Sequence, residues 1–404
     1  MNIIIQKFGG TSVSTKDRRK KVIDKIIYAI KSGFMPIVVV SAMGRLDDPY
    51  ATDTLLSLVS ETYRQSNKQG SDMLMCCGEI ISSVVLSSEL NDYGYKSMPM
   101  TGGQAGIITD EGFGDANILN ADAEKITDML KQSIIPIVTG FQGISKSGYF
   151  TTLGRGGSDV SAAILGGVLR ADKVEIYTDV DGIMTADPRI VSNASLIHEI
   201  SYNEVFQLAD QGAKVIHPKA VEVAMRYNTK LVIKNTLNNS EGTLISSEFN
   251  MLKNNAITGI THMSNRLQIN ISSEENENTD SYDTILDVLG KNGLSIDLIN
   301  VFPDKKIFTV DEEDAQLAHS LLNSMNIKYN FQEYCDKISI VGSGMKGVPG
   351  IMAKVLRRLR LENIEVLQTS DSHMTIWCLI KGEDTKKAIM ALHDEFKLYI
   401  SKYS

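Results

Sequence analysis

Lys7 is placed where its ammonium could bind an anion. It follows the apolar strand pattern Ile3–Ile5 and precedes two glycines and two hydroxyl side chains at Gly9–Ser12. Backbone N–H groups at the start of a helix, next to a lysine, form a site for an anion, most often phosphate. The segment lacks the G-x-x-x-x-G-K-[ST] order of a Walker loop. An ordinary glycine-rich connection between a strand and a helix would look the same.

A second glycine cluster, Gly154–Asp159, places Arg155 three residues before Ser158 and four before Asp159. A serine or aspartate at a helix start can be a simple N-cap. A guanidinium, in contrast, binds a carboxylate through two parallel hydrogen bonds, which a capping role does not need. The convergence of a guanidinium, an acid and three glycines favours a carboxylate-binding site.

A third motif, Thr178–Arg189, follows the strand pattern Val174–Tyr177 and contains a D-x-D-G turn. Ligands of open α/β sheets bind at the carboxyl ends of strands. The turn can also be a loop without a ligand or a weak cation site, and it lacks the twelve-residue spacing of a calcium loop.

Three single residues stay ambiguous at this level. Lys214, in the segment 211–218, can approach a phosphate or be a solvated surface lysine. His217, before a proline, is more typical of a structural residue than of a catalytic one. Glu79 is the one acid in the apolar stretch Met73–Val85, where it either pairs with a buried base or contacts a substrate amine.

The elements that must position these residues alternate between strand and helix up to about residue 245. The strand patterns are continuously apolar, as in strands buried on both faces of a largely parallel sheet. They predict a three-layer αβα sandwich over residues 1–245. The strands are Ile3–Ile5, Ile37–Val40, Ile135–Thr139, Val174–Tyr177 and Leu231–Ile233, and the helical patterns between them include Leu55–Gln65, Ser82–Leu90 and Asp159–Leu169.

A polar stretch, residues 246–258, predicts a linker, and an internal repeat follows it. The apolar positions Ile285, Leu289 and Leu294 recur seventy residues later as Val355, Leu359 and Ile364. Each copy has the pattern strand, helix, strand, turn, strand, helix, which predicts two small α+β modules over 259–330 and 331–404. A repeated module behind a larger α/β domain suggests a regulatory tail.

A dinucleotide fingerprint, G-x-G-x-x-G, occurs at Gly342–Gly347 with Glu365 about twenty residues later. It would make the chain an oxidoreductase. The chain after Gly350 is too short to complete a nucleotide-binding half and a catalytic domain. The repeat instead assigns this segment to the second small module.

Composition excludes several classes of protein. The formal net charge of −8 over 404 residues provides no electrostatic reason to bind nucleic acid. None of the four cysteines forms a C-x-x-C pair, which argues against a zinc site or a disulfide framework, and no metal-ligand cluster is predicted. No signal sequence or membrane-spanning run is evident. We expect a cytoplasmic, soluble chain.

Taken together, the motifs resemble those of aspartate kinases of the amino-acid-kinase superfamily, and the repeat resembles their paired ACT modules. The turn Ser370–His373 and the overall length look most like the diaminopimelate-sensitive kind of these enzymes. The motifs, in chain order, are K-F-G-G-T-S at Lys7–Ser12, V-V-V-S-A-M-G at Val38–Gly44, G-R-G-G-S-D at Gly154–Asp159, T-D-V-D-G with T-A-D-P-R at Thr178–Arg189, and G-A-K-V at Gly212–Val215.

The resemblance implies transfer of the ATP γ-phosphoryl group, with Mg²⁺, to the side-chain carboxylate of L-aspartate. The product is 4-phospho-L-aspartate, the first step toward lysine, diaminopimelate, threonine and methionine. In the family pattern Lys7 and Asp159 are catalytic. The implied ATP-binding residues are Lys7, Phe8, Gly9, Gly10, Ser41, Thr178, Asp179, Met184, Arg189, Lys214 and Val215. The implied aspartate-binding residues are Thr52, Glu79, Phe141, Arg155, Gly156, Gly157 and Ser158.

The resemblance also implies a homo-oligomer formed through ACT modules and an amino-acid effector: diaminopimelate, lysine or threonine. The second module keeps a G-x-P-G helix start at Gly347–Gly350, whereas the first has Asn278–Tyr282 there. The implied effector residues are Thr279, Asp280, Ser281 and Asp297. Neighbouring alternatives are a glutamate or carbamate kinase, and a non-catalytic amino-acid sensor that would not need Lys7, Arg155 and Asp159.

Overall fold

The computed structural model describes residues 1–213, 215–247, 256–276, 279–345 and 348–399; of 279–281 only the backbone is described. The chain forms two compact units. The first comprises residues 1–183, 196–210 and 214–249. The second comprises residues 184–195, 211–213 and 250–404.

The first unit is built on an eight-stranded sheet in the order β10-β12-β11-β9-β1-β2-β6-β3. Its strands pair in parallel except for β11 with β12. The five predicted strands are all present, and the predicted largely parallel sheet is confirmed. The strands are β1 (Ile3–Phe8), β2 (Met35–Val40), β3 (Ser97–Met100), β6 (Ile135–Thr139), β9 (Lys173–Thr178), β10 (Glu199–Ser201), β11 (Leu231–Asn235) and β12 (Thr243–Ser246).

Alternation along β1 shows why this sheet carries helices on both faces. Phe8 packs in one apolar layer with helices α2 and α5, whereas Ile5 lies beside Gly166 of helix α7. The three-layer sandwich is therefore confirmed. The helices of this unit are α1 (Gly10–Val13), α2 (Lys16–Lys31), α3 (Thr52–Leu56), α4 (Glu61–Ser66), α5 (Lys68–Asp92), α6 (Glu124–Lys131), α7 (Gly157–Val168), α8 (Tyr202–Asp210) and α9 (Pro218–Tyr227).

Helix α5 extends well beyond the predicted Ser82–Leu90 pattern, because its apolar N-terminal half also packs inside the domain. The predicted helix over Leu55–Gln65 is instead two short helices, since Ser60 caps a new start at α4. By length and composition α5 is long and apolar enough to cross a membrane. Here it packs against β3, β6 and the strand Phe150–Thr152 of the first unit, with Asp72 and Glu79 buried.

A smaller four-stranded sheet, β5-β4-β7-β8, lies beside the first. It connects the end of β6 to helix α7 and therefore presents the segment 153–156. Its strands are β4 (Ile107–Thr109), β5 (Ile118–Ala121), β7 (Gln142–Ser145) and β8 (Phe150–Thr152).

The second unit contains the repeated modules, which share a six-stranded antiparallel sheet in the order β14-β15-β13-β16-β18-β17. Both copies have the predicted pattern of strand, helix, two strands and helix, each with its own apolar core. The first copy is β13 (Gly259–Ser272), α10 (Thr279–Lys291), β14 (Asp297–Val301), β15 (Lys305–Asp311) and α11 (Ala315–Ser324). The second is β16 (Asn330–Val341), α12 (Ile351–Leu361), β17 (Val366–Asp371), β18 (Thr375–Lys381) and α13 (Thr385–Glu395).

Antiparallel pairing of β16 shows that the Gly342–Gly347 fingerprint does not mark a dinucleotide site. Such a site needs a parallel strand–helix–strand unit, whereas β16 lies between two antiparallel neighbours. The α carbon of Gly342 faces the Ala256 carbonyl oxygen, which an added Cβ would approach to 2.1 Å. Residues 346 and 347 lie outside the described part of the chain.

The segment 184–195 belongs to the second unit. Ala186 and Val191 are buried in the core of the second module. The Thr185 hydroxyl lies 2.9 Å from the His393 ring nitrogen Nε2, and the Thr185 carbonyl accepts the Ile260 N–H. Gln211 likewise accepts the Trp377 indole N–H at 2.9 Å.

Candidate active site

The carboxyl ends of β1, β2, β6 and β9 meet at one edge of the large sheet because these strands run in parallel register. Lys7 and Phe8 end β1, Ser41 follows β2, Phe141 follows β6, and Thr178 ends β9. The structure thus brings to one edge several residues that are far apart in the sequence.

Lys7 and Asp159 form an ion pair. The Lys7 Nζ lies 2.6 Å from a carboxylate oxygen of Asp159, and each side chain is 12% exposed. Lys7 projects to the same face of β1 as Ile5, the face covered by α7, and Asp159 is in the first turn of that helix. The pair fixes the ammonium at the sheet edge without sealing it from a ligand.

The glycine turn after Lys7 is closely packed. A Cβ on Gly10 would lie 2.6 Å from the Ala42 carbonyl oxygen and 2.8 Å from that of Gly44, so a larger residue would displace backbone. The Gly9 N–H already donates to the Tyr177 carbonyl at 3.3 Å. The Ser12 N–H donates to the Gly9 carbonyl at 2.9 Å, so the N–H groups at the start of α1 without a backbone acceptor among the described residues are those of Gly10 and Thr11.

The Gly154–Asp159 cluster places Arg155 on the surface. Arg155 is exposed and has no hydrogen bond or ion pair with another residue of the described ranges. Gly156 adopts φ +70°, and a Cβ there would lie 2.2 Å from His217. His217 itself caps α9, accepting the Lys219 N–H, which is the structural role predicted for it. A free guanidinium on a tightly folded glycine turn can bind an anionic group of a ligand.

Ser158 and Phe141 lie next to Gly157 in this part of the site. The Ser41 hydroxyl donates to the Ser158 hydroxyl at 3.0 Å, joining β2 to α7. Phe141 has φ +69°, a conformation that costs a bulky residue about 1–3 kcal/mol and is concentrated at functional sites. Its N–H donates to Ser161 Oγ and its carbonyl accepts the Leu153 N–H, so both sides of the strained residue are held.

Glu79 is buried at the same edge. One carboxylate oxygen accepts the Ala42 N–H at 3.1 Å, while the other has no partner among the described residues. Burial raises the pKa of Glu79 to about 8, because desolvation disfavours the charged form. A buried acceptor without a donor fits a ligand that brings its own charged donor. Its position requires Gly78, where a Cβ would lie 2.7 Å from Ala42.

Asp72 is a buried residue that the sequence reasoning missed. It is fully buried on α5, immediately before the apolar stretch Met73–Val85 that contains Glu79. Its carboxylate accepts the Thr152 N–H at 2.8 Å, the Thr152 hydroxyl at 2.9 Å and the Gly114 N–H at 3.0 Å. Burial raises the pKa of Asp72, and these three donors oppose that shift. The available signal was its seven-residue spacing from Glu79, which puts both acids on one helix face.

Other predicted residues lie in several places. Asp179 pairs with Arg45 at 3.0 Å, and both side chains are well exposed. Thr52 begins α3 and Val215 precedes α9, and neither side chain forms a hydrogen bond with the site residues described above. Met184 and Arg189 lie in the second unit, where Arg189 is 89% exposed and pairs with Asp187. Lys214 lies outside the described residues.

In the second unit, the predicted effector residue Asp297 pairs with Lys337, a lysine that is 1% exposed. Thr279, Asp280 and Ser281 start α10, and their side chains are not described. No group of three or more His, Cys, Asp or Glu residues that could hold a metal occurs in the described ranges.

Comparison with known proteins identifies the family. The model of the amino acid kinase family matches residues 2–235, and an ACT domain model matches residues 330–394. Aspartokinase 1 of Bacillus subtilis is 40% identical over 403 residues, covering 98% of this chain and 100% of the relative. The chain belongs to the aspartokinase family. The aspartokinase of Geobacillus stearothermophilus is 37% identical, over 98% of each chain.

Solved aspartokinase structures have the same fold. The aspartate kinase of Clostridium acetobutylicum matches with a TM-score of 0.79 at 25% identity, over 97% of this chain and 100% of that one. Aspartokinase III of E. coli, solved with aspartate and ADP, matches with a TM-score of 0.78 at 23% identity, over 97% and 99% of the two chains. The likeness covers both the kinase and ACT parts, so the predicted architecture for this aspartokinase is confirmed.

Proposed function

We propose that this aspartokinase transfers the γ-phosphoryl group of ATP to the side-chain carboxylate of L-aspartate. The product is 4-phospho-L-aspartate, the first intermediate toward lysine, diaminopimelate, threonine and methionine. The observation that carries the proposal is the Lys7–Asp159 pair, at a sheet edge that also holds a partnerless buried carboxylate oxygen on Glu79. The reaction takes place in the cytoplasm.

The chemistry needs no general base. The acceptor carboxylate is already ionised at pH 7. It is a weak nucleophile facing an anionic donor, so catalysis consists of positioning and of neutralising charge on the transferring group. Lys7 supplies the positive charge, and Asp159 holds the ammonium in place. Gly10 lets the start of α1 come close to the phosphates.

Two groups orient the amino acid. Arg155 binds its α-carboxylate through the two-point geometry of a guanidinium. Glu79 binds its α-ammonium with the oxygen that has no protein donor. With both α-groups held, the side-chain carboxylate is directed toward Lys7. Ser158, Gly156 and Gly157, with Phe141 and Thr52, line the remainder of the substrate site.

ATP lies along the ends of β1 and β9, where Phe8, Gly9, Ser41, Thr178 and Asp179 are located. Met184, Arg189, Lys214 and Val215 are further ATP-binding candidates. Mg²⁺ would be held mainly by phosphate oxygens and water and would neutralise phosphate charge, because the nearby carboxylates are engaged. Asp179 pairs with Arg45, and Asp181 accepts amide groups of Asn235 and Asn238.

Feedback control operates through the ACT modules, which also join subunits into a homo-oligomer. An amino acid such as diaminopimelate, lysine or threonine binds near the start of α10 and Asp297. A solved relative, aspartokinase III of E. coli, was crystallised with lysine and aspartate. Asp297 already pairs with Lys337 here, so an effector ammonium has to share or replace that partner.

The test is ATP-dependent acyl phosphate formation, trapped as the hydroxamate with hydroxylamine, across aspartate, glutamate and carbamate. We expect turnover with aspartate. Turnover with glutamate or carbamate but not aspartate would overturn the proposal, and no turnover with any acceptor would favour a sensor. Adding diaminopimelate, lysine and threonine separately to the same assay identifies the effector.

The raised pKa of Glu79 predicts the pH dependence of aspartate use. Below about pH 8 the carboxyl is mostly neutral in the free enzyme and cannot pair with an ammonium. We expect kcat/KM for aspartate to rise with pH, by up to about tenfold per unit, and to level off above pH 8. The control is Glu79→Gln, which should flatten the rise. A rise that persists in that variant would assign the titration to another group.

A further inference from the structure

Asp72 connects the two parts of the proposed aspartate pocket, one containing Glu79 and the other Arg155. Helix α5 carries Glu79 at one point and Asp72 two turns earlier, on the same face and roughly 10 Å away along the axis. Both side chains are buried. The helix is therefore a rigid connection between the ammonium ligand and whatever Asp72 holds.

Asp72 holds the strand that presents Arg155. Both the N–H and the hydroxyl of Thr152, the last residue of β8, donate to its carboxylate. Only Leu153 and Gly154 separate Thr152 from Arg155. The Gly114 N–H donates to the same carboxylate, and the neighbouring Asp115 contacts the position of Gly154. One buried carboxylate thus fixes the segment before Arg155 and the loop packed against it.

Arg155 has no partner of its own to fix its place among the described residues, so its position depends on this backbone. Thr152 also accepts the Ala116 N–H through its carbonyl, and the Leu153 N–H donates to Phe141. Thr152 is the residue of this segment whose side chain and backbone both bond to α5. Loss of the Asp72 bonds would loosen Arg155 relative to Glu79 without touching either residue.

We propose that Asp72 is a positioning residue for substrate binding: by bonding Thr152 it sets the spacing between Arg155 and Glu79, and so the fit of the amino acid's α-carboxylate and α-ammonium. The inference rests on the proposed roles of Arg155 and Glu79. It assigns to α5 a function in substrate selection beyond its place in the core. Lys7 and the ATP-binding edge lie on other elements and are unaffected.

The test compares Asp72→Asn with the wild-type enzyme. Asparagine keeps the shape but loses the negative charge, so the bonds from Thr152 and Gly114 are no longer charge-assisted. We therefore expect the KM for aspartate to rise about tenfold. The KM for ATP should stay unchanged, and kcat should fall by less than KM rises. A general loss of stability would not produce that split.

Thr152→Val is the milder second variant, since it removes the hydroxyl donor and keeps the N–H. It should raise the KM for aspartate in the same direction but by less. Ser87→Ala is the matched control on α5, because it removes a buried hydroxyl bond to Ser97 far from Thr152 and should leave both KM values unchanged.

An unchanged aspartate KM in Asp72→Asn overturns the inference. If Asp72→Asn does not fold, an unchanged aspartate KM in Thr152→Val overturns the inference instead. The proposed function fails separately, if the wild-type enzyme does not phosphorylate aspartate. A wild-type enzyme that is active, with variants that alter both KM values equally, would make Asp72 a structural residue only.

Discussion

Replacement of Lys7 by alanine is expected to lower kcat by about 10³-fold or more, because it removes the ammonium that neutralises charge on the transferring phosphoryl group. Lys7 ends β1 with its Nζ 2.6 Å from the Asp159 carboxylate. The rate of hydroxamate formation from aspartate, ATP and hydroxylamine measures the loss. Lys7→Arg should not restore full activity, since the broader guanidinium does not fit a site shaped for a compact ammonium.

The same substitution leaves Asp159 without its counter-ion. Both side chains are largely buried, so we expect Lys7→Ala to lower the free energy of unfolding by about 3 kcal/mol. The double variant Lys7→Ala with Asp159→Ala should recover stability but not activity. Urea unfolding of the three proteins separates the two effects. Near-normal turnover in the stable double variant would remove the pair from the mechanism.

Replacement of Arg155 by alanine is expected to raise the KM for aspartate about 100-fold, with the KM for ATP unchanged. Arg155 is exposed and has no described protein partner, so its loss removes a ligand contact rather than a structural one. A charge-assisted bidentate bond to a carboxylate contributes up to about 3 kcal/mol, which is roughly the factor expected.

Two further measurements sharpen this second prediction. Arg155→Lys keeps the charge but not the planar two-point geometry, so it should recover only part of the affinity. Because the side chain is exposed, the melting temperature of both variants should match that of the wild-type enzyme. An aspartate KM and kcat that do not change in Arg155→Ala would contradict the clamp.

Local sequence features predicted much of this edge of the sheet correctly. The apolar run Ile3–Ile5 predicts a buried strand, which β1 confirms. The glycines after Lys7 predict a backbone that can approach a ligand closely, and Gly10 itself packs against the Ala42 carbonyl. Parallel strands bring their carboxyl ends together, so residues after different strands could be expected to meet. The Lys7–Asp159 pair lies at that edge.

Other features could not be predicted because they depend on contacts between distant segments. The helix pattern at Ser82–Leu90 did not reveal that α5 begins at Lys68, since the first turn, Lys68–Asp72, is polar and the apolar residues after it have no clear helical period. The strained φ of Phe141 arises from bonds to Ser161 and Leu153. The placement of 184–195 in the second unit follows from burial of Ala186 and Val191 in the core of an ACT module.

The sequence by itself determined the family, the two-part architecture and the residue types that phosphoryl transfer to a carboxylate requires. Ordered motifs indicate the family and the residue types, and local periodicity indicates the architecture. Only the tertiary structure decided how those residues are held. It buried Glu79 with one oxygen lacking a donor, and it bonded Asp72 to the strand before Arg155. Burial and bonding of this kind arise when distant segments pack together, and no local pattern records them.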